Sequence, residues 1–226
     1  MRRFIPVLLL VILFAVTGCS KSPVSSQISS QASSQPSSSD ASVLVDVYDT
    51  DALMQAIDGN TAAGVKIKAD ITIGLSSLKE FEKSSFVMVI DKGVTVTMGD
   101  NFAPAISGIV NNGTLLITGT FEFAFAVFEN NGTIRIADKG MLAPYHGTIQ
   151  NNGEVLIDAG GELRLDRVTT FNNAATVTNN GTLKITNDGG VFHNLAAGTL
   201  TNNKTIACVG IYTNEGKFIG EGEPLQ

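Results

Sequence analysis

A chain of 226 residues with a formal net charge of −6, 23 glycines, two cysteines and no tryptophan excludes several classes at the outset. Its length admits one domain with at most an unstructured arm, its acidity removes the basic footprint that a nucleic-acid partner needs, and two cysteines cannot build a disulfide scaffold. Charged residues make up only 16% and glycine is frequent, which argues against a solvated helical bundle and for a turn-rich β protein.

Arg2 and Arg3 precede an uncharged apolar run over residues 4–16. At 13 residues this run is too short for a mature membrane span, which needs about 20, but it suits the apolar core of a secretory signal. It ends in Val16-Thr17-Gly18-Cys19, which resembles the lipobox of bacterial lipoproteins. That resemblance implies that residues 1–18 are removed and that Cys19 is acylated. It also implies a chain held on the extracytoplasmic side of a bacterial envelope through the lipid on Cys19. Ser20 carries no charge that would select the plasma or the outer membrane.

Twelve of the 23 residues at 20–42 are serine, with Ser-Ser-Gln recurring at 25–27, 29–31 and 33–35. Such a stretch has too little apolar surface to offset its ordering entropy. Residues 19–42 therefore read as a disordered tether with a root-mean-square span of about 25 Å, and the composition equally suits a glycosylated linker. The folded domain is expected over 43–226. It should begin near a short helix with Thr50 as N-cap, Asp51 in the first turn and an apolar stripe of Leu53, Met54 and Ile57 before Gly59.

Beyond this helix the chain repeats itself. An apolar residue two before an asparagine recurs at Ile109/Asn111, Phe128/Asn130, Ile149/Asn151, Phe171/Asn173, Phe192/Asn194 and Tyr212/Asn214, in steps of 19, 21, 22, 21 and 20. A second series pairs a small residue with an apolar one at Gly113/Leu115, Gly132/Ile134, Gly153/Val155, Ala175/Val177, Gly198/Leu200 and Gly216/Phe218. The third runs Gly119/Phe121, Gly140/Leu142, Gly161/Leu163, Gly181/Leu183 and Lys204/Ile206. Three interleaved series on one period of about 21 indicate a solenoid with three short strands per coil. Apolar residues two apart, as in Ile134/Ile136 with Arg135 between them, set the strand alternation. Three strands of about five residues would leave about two per corner, where Gly and Asn tolerate left-handed backbone. Ile117, Ile136, Ile157, Ile185 and Cys208 are expected to stack in one inward column, which makes Cys208 a buried small hydrophobe. The asparagines Asn111, Asn130, Asn151, Asn173, Asn194 and Asn214 are expected to hydrogen-bond along the stack.

The segments 47–53, 67–73 and 91–97, followed by the Asn-Gly coils, resemble the parallel β-helix of pectate-lyase-like proteins, and in particular the adhesive β-helix domains of bacterial surface proteins. The resemblance implies an all-β, right-handed, single-stranded parallel β-helix, with the short helix as its N-terminal cap. Right-handed winding is also what the crossover rule favours.

Candidate chemistry is sparse. Asp138, Asp158, Glu162 and Asp166 offer the carboxylate pair that glycoside hydrolysis needs, but loops are short and no cleft is implied. The aspartate-rich calcium motif and the arginine pattern expected of pectate lyases are absent from the sequence. His146 and His193 have no metal-ligand spacing, so neither a metal nor a cofactor is expected. Phe121, Phe123 and Phe125 belong to the core by alternation and Phe128 by its place in the apolar-x-Asn series, and a threonine column interrupted by Met141, Glu154, Glu162 and Lys217 does not suit ice binding. The expected function is a noncatalytic, lipid-anchored adhesion or binding module for a glycan or surface protein. The alternative is a small carbohydrate-active or carbohydrate-binding β-helix. Nothing after Ile219 plugs the C-terminal end, which is therefore expected to be weakly capped and open to a partner.

Overall fold

The computed structural model describes residues 44–58, 63–74, 86–99, 106–124 and 126–224. The signal, Cys19, the tether, Gly59 and Phe125 lie outside the described residues.

All sheet pairing among the described strands is parallel and steps from one coil to the next, so the chain is a parallel β-solenoid. The first sheet has nine strands, from Leu44–Val47 to Ile211–Asn214. The second has eight, from Ile71–Ile73 to Lys217–Gly220, and the third has five, from Thr120–Phe121 to Thr205–Cys208. One coil shows the order: Thr148–Asn151 in the first sheet, Glu154–Ile157 in the second, Glu162–Leu165 in the third, then Thr170–Asn173 back in the first.

Most strands hold four residues rather than five, and the corners are unequal. Two residues turn the corner at 152–153, whereas 158–161 and 166–169 take four each. In most coils this corner holds glycine for a steric reason, although Ala175 takes the same place after Asn173. A Cβ on Gly132 would stand 2.1 Å from the carbonyl oxygen of Gly113 on the preceding coil.

The three series stack in register as the period implies. Ile109, Phe128, Ile149, Phe171, Phe192 and Tyr212 form one inward column. Leu115, Ile134, Val155, Val177, Leu200 and Phe218 form the second, and Phe121, Leu142, Leu163, Leu183 and Ile206 the third. The rings of Phe171 and Phe192 lie 5.1 Å apart and nearly parallel, and Tyr212 continues the stack at 5.9 Å. Burial of each such side chain stabilises the fold by roughly 1.5–3 kcal/mol. Phe121 and Phe123 are fully buried, as their alternation requires, and Phe128 is fully buried as a member of the first column.

One expected column is wrong. Ile117, Ile136 and Ile157 do stack, but in the second sheet, where the column continues into Asn179 and Asn202. Ile185 and Cys208 belong to the third sheet, stacked beyond Leu165. Cys208 is half-buried, not buried, because no coil covers it beyond the last strand of its sheet.

The helix runs Thr50–Asp58 and buries Leu53, Ala56 and Ile57, with Met54 half-buried beside them. Its cap is one residue earlier than expected. Asp49 Oδ1 accepts the backbone N–H of Ala52 at 2.7 Å, which is the N-cap role. The Thr50 hydroxyl instead donates to the Thr72 carbonyl at 3.0 Å and ties the helix to the coil beneath it.

Candidate functional site

The asparagine series forms a continuous ladder inside the corner between the first and second sheets. Nδ2 of Asn111 donates to Oδ1 of Asn130 at 2.7 Å, and the link repeats through Asn151, Asn173, Asn194 and Asn214 at 2.7–2.8 Å. The second hydrogen of each amide goes to a carbonyl of the next coil's second-sheet strand, as from Asn111 to Thr133 and from Asn151 to Thr176. Oδ1 in turn accepts a corner N–H two residues on, as at Asn111 from Gly113, Asn151 from Gly153 and Asn173 from Ala175. Asn111, Asn130, Asn151 and Asn173 are completely buried, yet no buried side-chain nitrogen or oxygen among the described residues lacks a partner. A half-satisfied ladder would cost more than an apolar column.

A second ladder was not foreseen. Asn179 Nδ2 donates to Asn202 Oδ1 at 2.8 Å and to the Thr205 carbonyl at 2.8 Å, in the corner between the second and third sheets. The sequence signal was present, since Val177 and Leu200 each stand two residues before an asparagine, as in the first series.

Both ladders end on the C-terminal tail, which closes the end expected to be weakly capped with a few polar bonds. Nδ2 of Asn202 donates to the carbonyl of Glu221 at 2.7 Å. The Glu223 carboxylate accepts from Asn214 Nδ2 and, at 3.2 Å, from the Tyr212 hydroxyl. Burial, followed by the nearby Glu223 charge, raises the Tyr212 phenol well above the usual tyrosine range. Gly222 and Pro224 of the tail line an open pocket of about 450 Å³ with Ile206, Cys208, Val209 and Gly210. Burial raises the Cys208 thiol, which makes it a poor nucleophile.

Outside the solenoid, the first sheet presents a row of side chains in register: Val110, Glu129, Gln150, Asn172, His193 and Thr213. His193 Nδ1 and the Thr213 hydroxyl lie 2.6 Å apart. At the adjoining corner an exposed amide row runs with the opposite polarity to the buried one. Asn152 donates to Asn131 and Asn131 to Asn112, each at 3.2 Å. Asn131 Nδ2 also donates to the Glu129 carboxylate at 3.0 Å.

The corner between the third and first sheets is the irregular one. His146, Arg167 and Val168 all have positive φ, at 55°, 47° and 62°. For a β-branched residue this is a true outlier, and it costs about 1–3 kcal/mol per residue. The next coil meets the same need with Gly189, at φ 98°. The bend is locked across coils: the His146 N–H donates to the Arg167 carbonyl, the Val168 N–H to the Asp188 carbonyl, and the buried Thr169 hydroxyl to the Pro144 carbonyl. The Arg167 guanidinium lies 5.3 Å from the centre of the Tyr145 ring, and Val168 is 62% exposed. Burial raises the Asp166 carboxyl against the opposing pull of Arg167, whereas a hydrogen bond from Thr186 lowers that of Asp188.

Of the carboxylates singled out in the sequence, Asp138 and Asp158 occupy the same corner on adjacent coils. Asp158 accepts from Arg135 and Glu162 from Arg164, each at 2.7 Å, and Asp166 lies at the far end of the strand Glu162–Leu165 from Asp158. Among the described residues no three histidine, cysteine or acidic side chains are grouped to hold a metal ion. No family model, curated protein or solved structure matches the chain.

Proposed function

We propose that this chain is a noncatalytic surface module, anchored through a lipid on Cys19 on the extracytoplasmic face of a bacterial envelope. Its first sheet would present its outer face to a glycan or a surface protein. One observation carries this reading: from Gly108 to Asn214 that face bears a single carboxylate, Glu129, among amides, hydroxyls, an imidazole and β-branched side chains. Asn112, Asn131 and Asn152 at the adjoining corner are pre-positioned by bonds between coils and lose little entropy on meeting a hydroxyl-rich or amide-rich ligand. The pairing of Asp158 with Arg135 and of Glu162 with Arg164 supports a binding role over hydrolysis.

The corner of Tyr145, Arg167, Asp166 and Asp188 favours the second reading, a carbohydrate-active or carbohydrate-binding β-helix. A glycan and surface-protein array probed with the protein, with reducing-end assays on every hit, separates the two. Binding without new reducing ends, weakened by Gln150→Ala or Asn172→Ala, is expected. Product formation overturns the noncatalytic reading. Labelling of the wild type, but not of Cys19→Ala, by an alkynyl fatty acid tests the anchor.

A further inference from the structure

Four Asn-Gly pairs stand at the corners, with Asn112, Asn131, Asn152 and Asn180 as the outer residues. An asparagine before glycine is prone to deamidation because a glycine leaves its backbone nitrogen unshielded. That nitrogen attacks Cγ of the asparagine; the N–Cγ bond forms and the Cγ–Nδ2 bond breaks. The displaced amine leaves as ammonia with the glycine amide proton, and water opens the cyclic imide to aspartate or isoaspartate. No electron donor or acceptor is needed.

The buried ladders restrain this reaction at three of the four pairs. The N–H of Gly113 is held by Asn111 Oδ1 at 3.2 Å, that of Gly153 by Asn151 at 3.3 Å, and that of Gly181 by Asn179 at 3.1 Å. Each bond fixes the peptide plane from which the attack would start. At the fourth corner Asn130 keeps the sense of the ladder, but its Nδ2 also donates to the carbonyl of Gly132 at 3.3 Å, and among the described residues the Gly132 N–H has no such acceptor. The same corner differs in a second respect. Asn131, exposed like Asn152, donates from Nδ2, the leaving nitrogen, to the Glu129 carboxylate at 3.0 Å, a base placed to relay a proton to it. Among the described residues, Asn112, Asn152 and Asn180 have no carboxylate to donate to.

We propose that Asn131-Gly132 is a built-in deamidation site, and that its conversion places a new carboxylate beside Glu129 in the outer amide row. The product can no longer donate to Asn112 and repels Glu129, so the row is cut at its centre. The inference is independent of what the outer face binds. The test incubates the intact protein at neutral pH and follows isoaspartate at each of the four pairs by peptide mapping, with urea-unfolded protein as the reference. In the folded protein Asn131 should convert first, about fivefold faster than the other three, the rate ratio expected for one backbone hydrogen bond. In urea the four should converge. Glu129→Gln should slow Asn131 alone, and Asn151→Ala should raise Asn152 toward the rate of Asn131. Equal rates in the folded protein, another pair leading, or an Asn131 rate untouched by Glu129→Gln would each overturn the proposal. The wild-type ranking stands by itself if the ladder variant does not fold.

Discussion

The two ends of the solenoid are closed by different chemistry. At the N-terminal end the helix Thr50–Asp58 places Leu53, Ala56 and Ile57 on the first coils and removes them almost completely from water. At the other end the tail over 221–224 makes a few directional bonds to Asn202, Asn214 and Tyr212, while Val209, Ile211 and Ile219 stay exposed at 73%, 56% and 41%. In a stack where each coil contacts only its neighbours, apolar burial closes an end cooperatively and a polar strap closes it locally. The first end should melt with the body of the stack, and the second should fray ahead of it.

The comparison can be broken most forcefully at the apolar end. Leu53→Ala should cost about 3 kcal/mol in chemical denaturation and speed hydrogen exchange across the first coils. A midpoint unchanged from wild type would show that the helix is not the plug. Inside the ladder, Asn151→Ala strands Asn130 Nδ2 and Asn173 Oδ1 and should cost about 2 kcal/mol. Asn214→Ala, at the strapped end, should cost less than about 1 kcal/mol, so the ratio of the two measures how far order decays toward that end. Glu223→Ala should cost at most about 1 kcal/mol, with faster exchange confined to Ile211–Asn214.

The smallest effect is on pH dependence. Because the folded state favours the neutral Tyr212 phenol, this contribution is complete below the ordinary tyrosine pKa of about 10. It is lost as pH rises through the higher folded value. An absorbance titration should show one late phenolate component, absent in Tyr212→Phe.

Much of the architecture was legible because three strands per coil print three apolar series on one period. What the pattern could not say is which sheet a given isoleucine belongs to, since Ile157 and Ile185 sit in the same apolar-x-apolar context. Asn179 and Asn202 were hidden by the same ambiguity, in a column that is isoleucine in the three coils before Asn179. The strap was invisible because its effect depends on Glu223 reaching back to Asn214, a contact that no periodicity marks. Left-handed Val168 has no sequence signal either, as the residue type that would announce it, glycine, appears only one coil later.

The buried ladder has one sense throughout, each Nδ2 facing the coil ahead. Cut ends therefore always match. If one coil of 22 residues, 151–172, were excised, Asn130 would meet Asn173 as it now meets Asn151. Removing one residue from a strand would instead turn its core side chains to water. This chain can lengthen or shorten only in whole coils, and gene duplication or deletion at that interval is the change its interior absorbs with least disturbance.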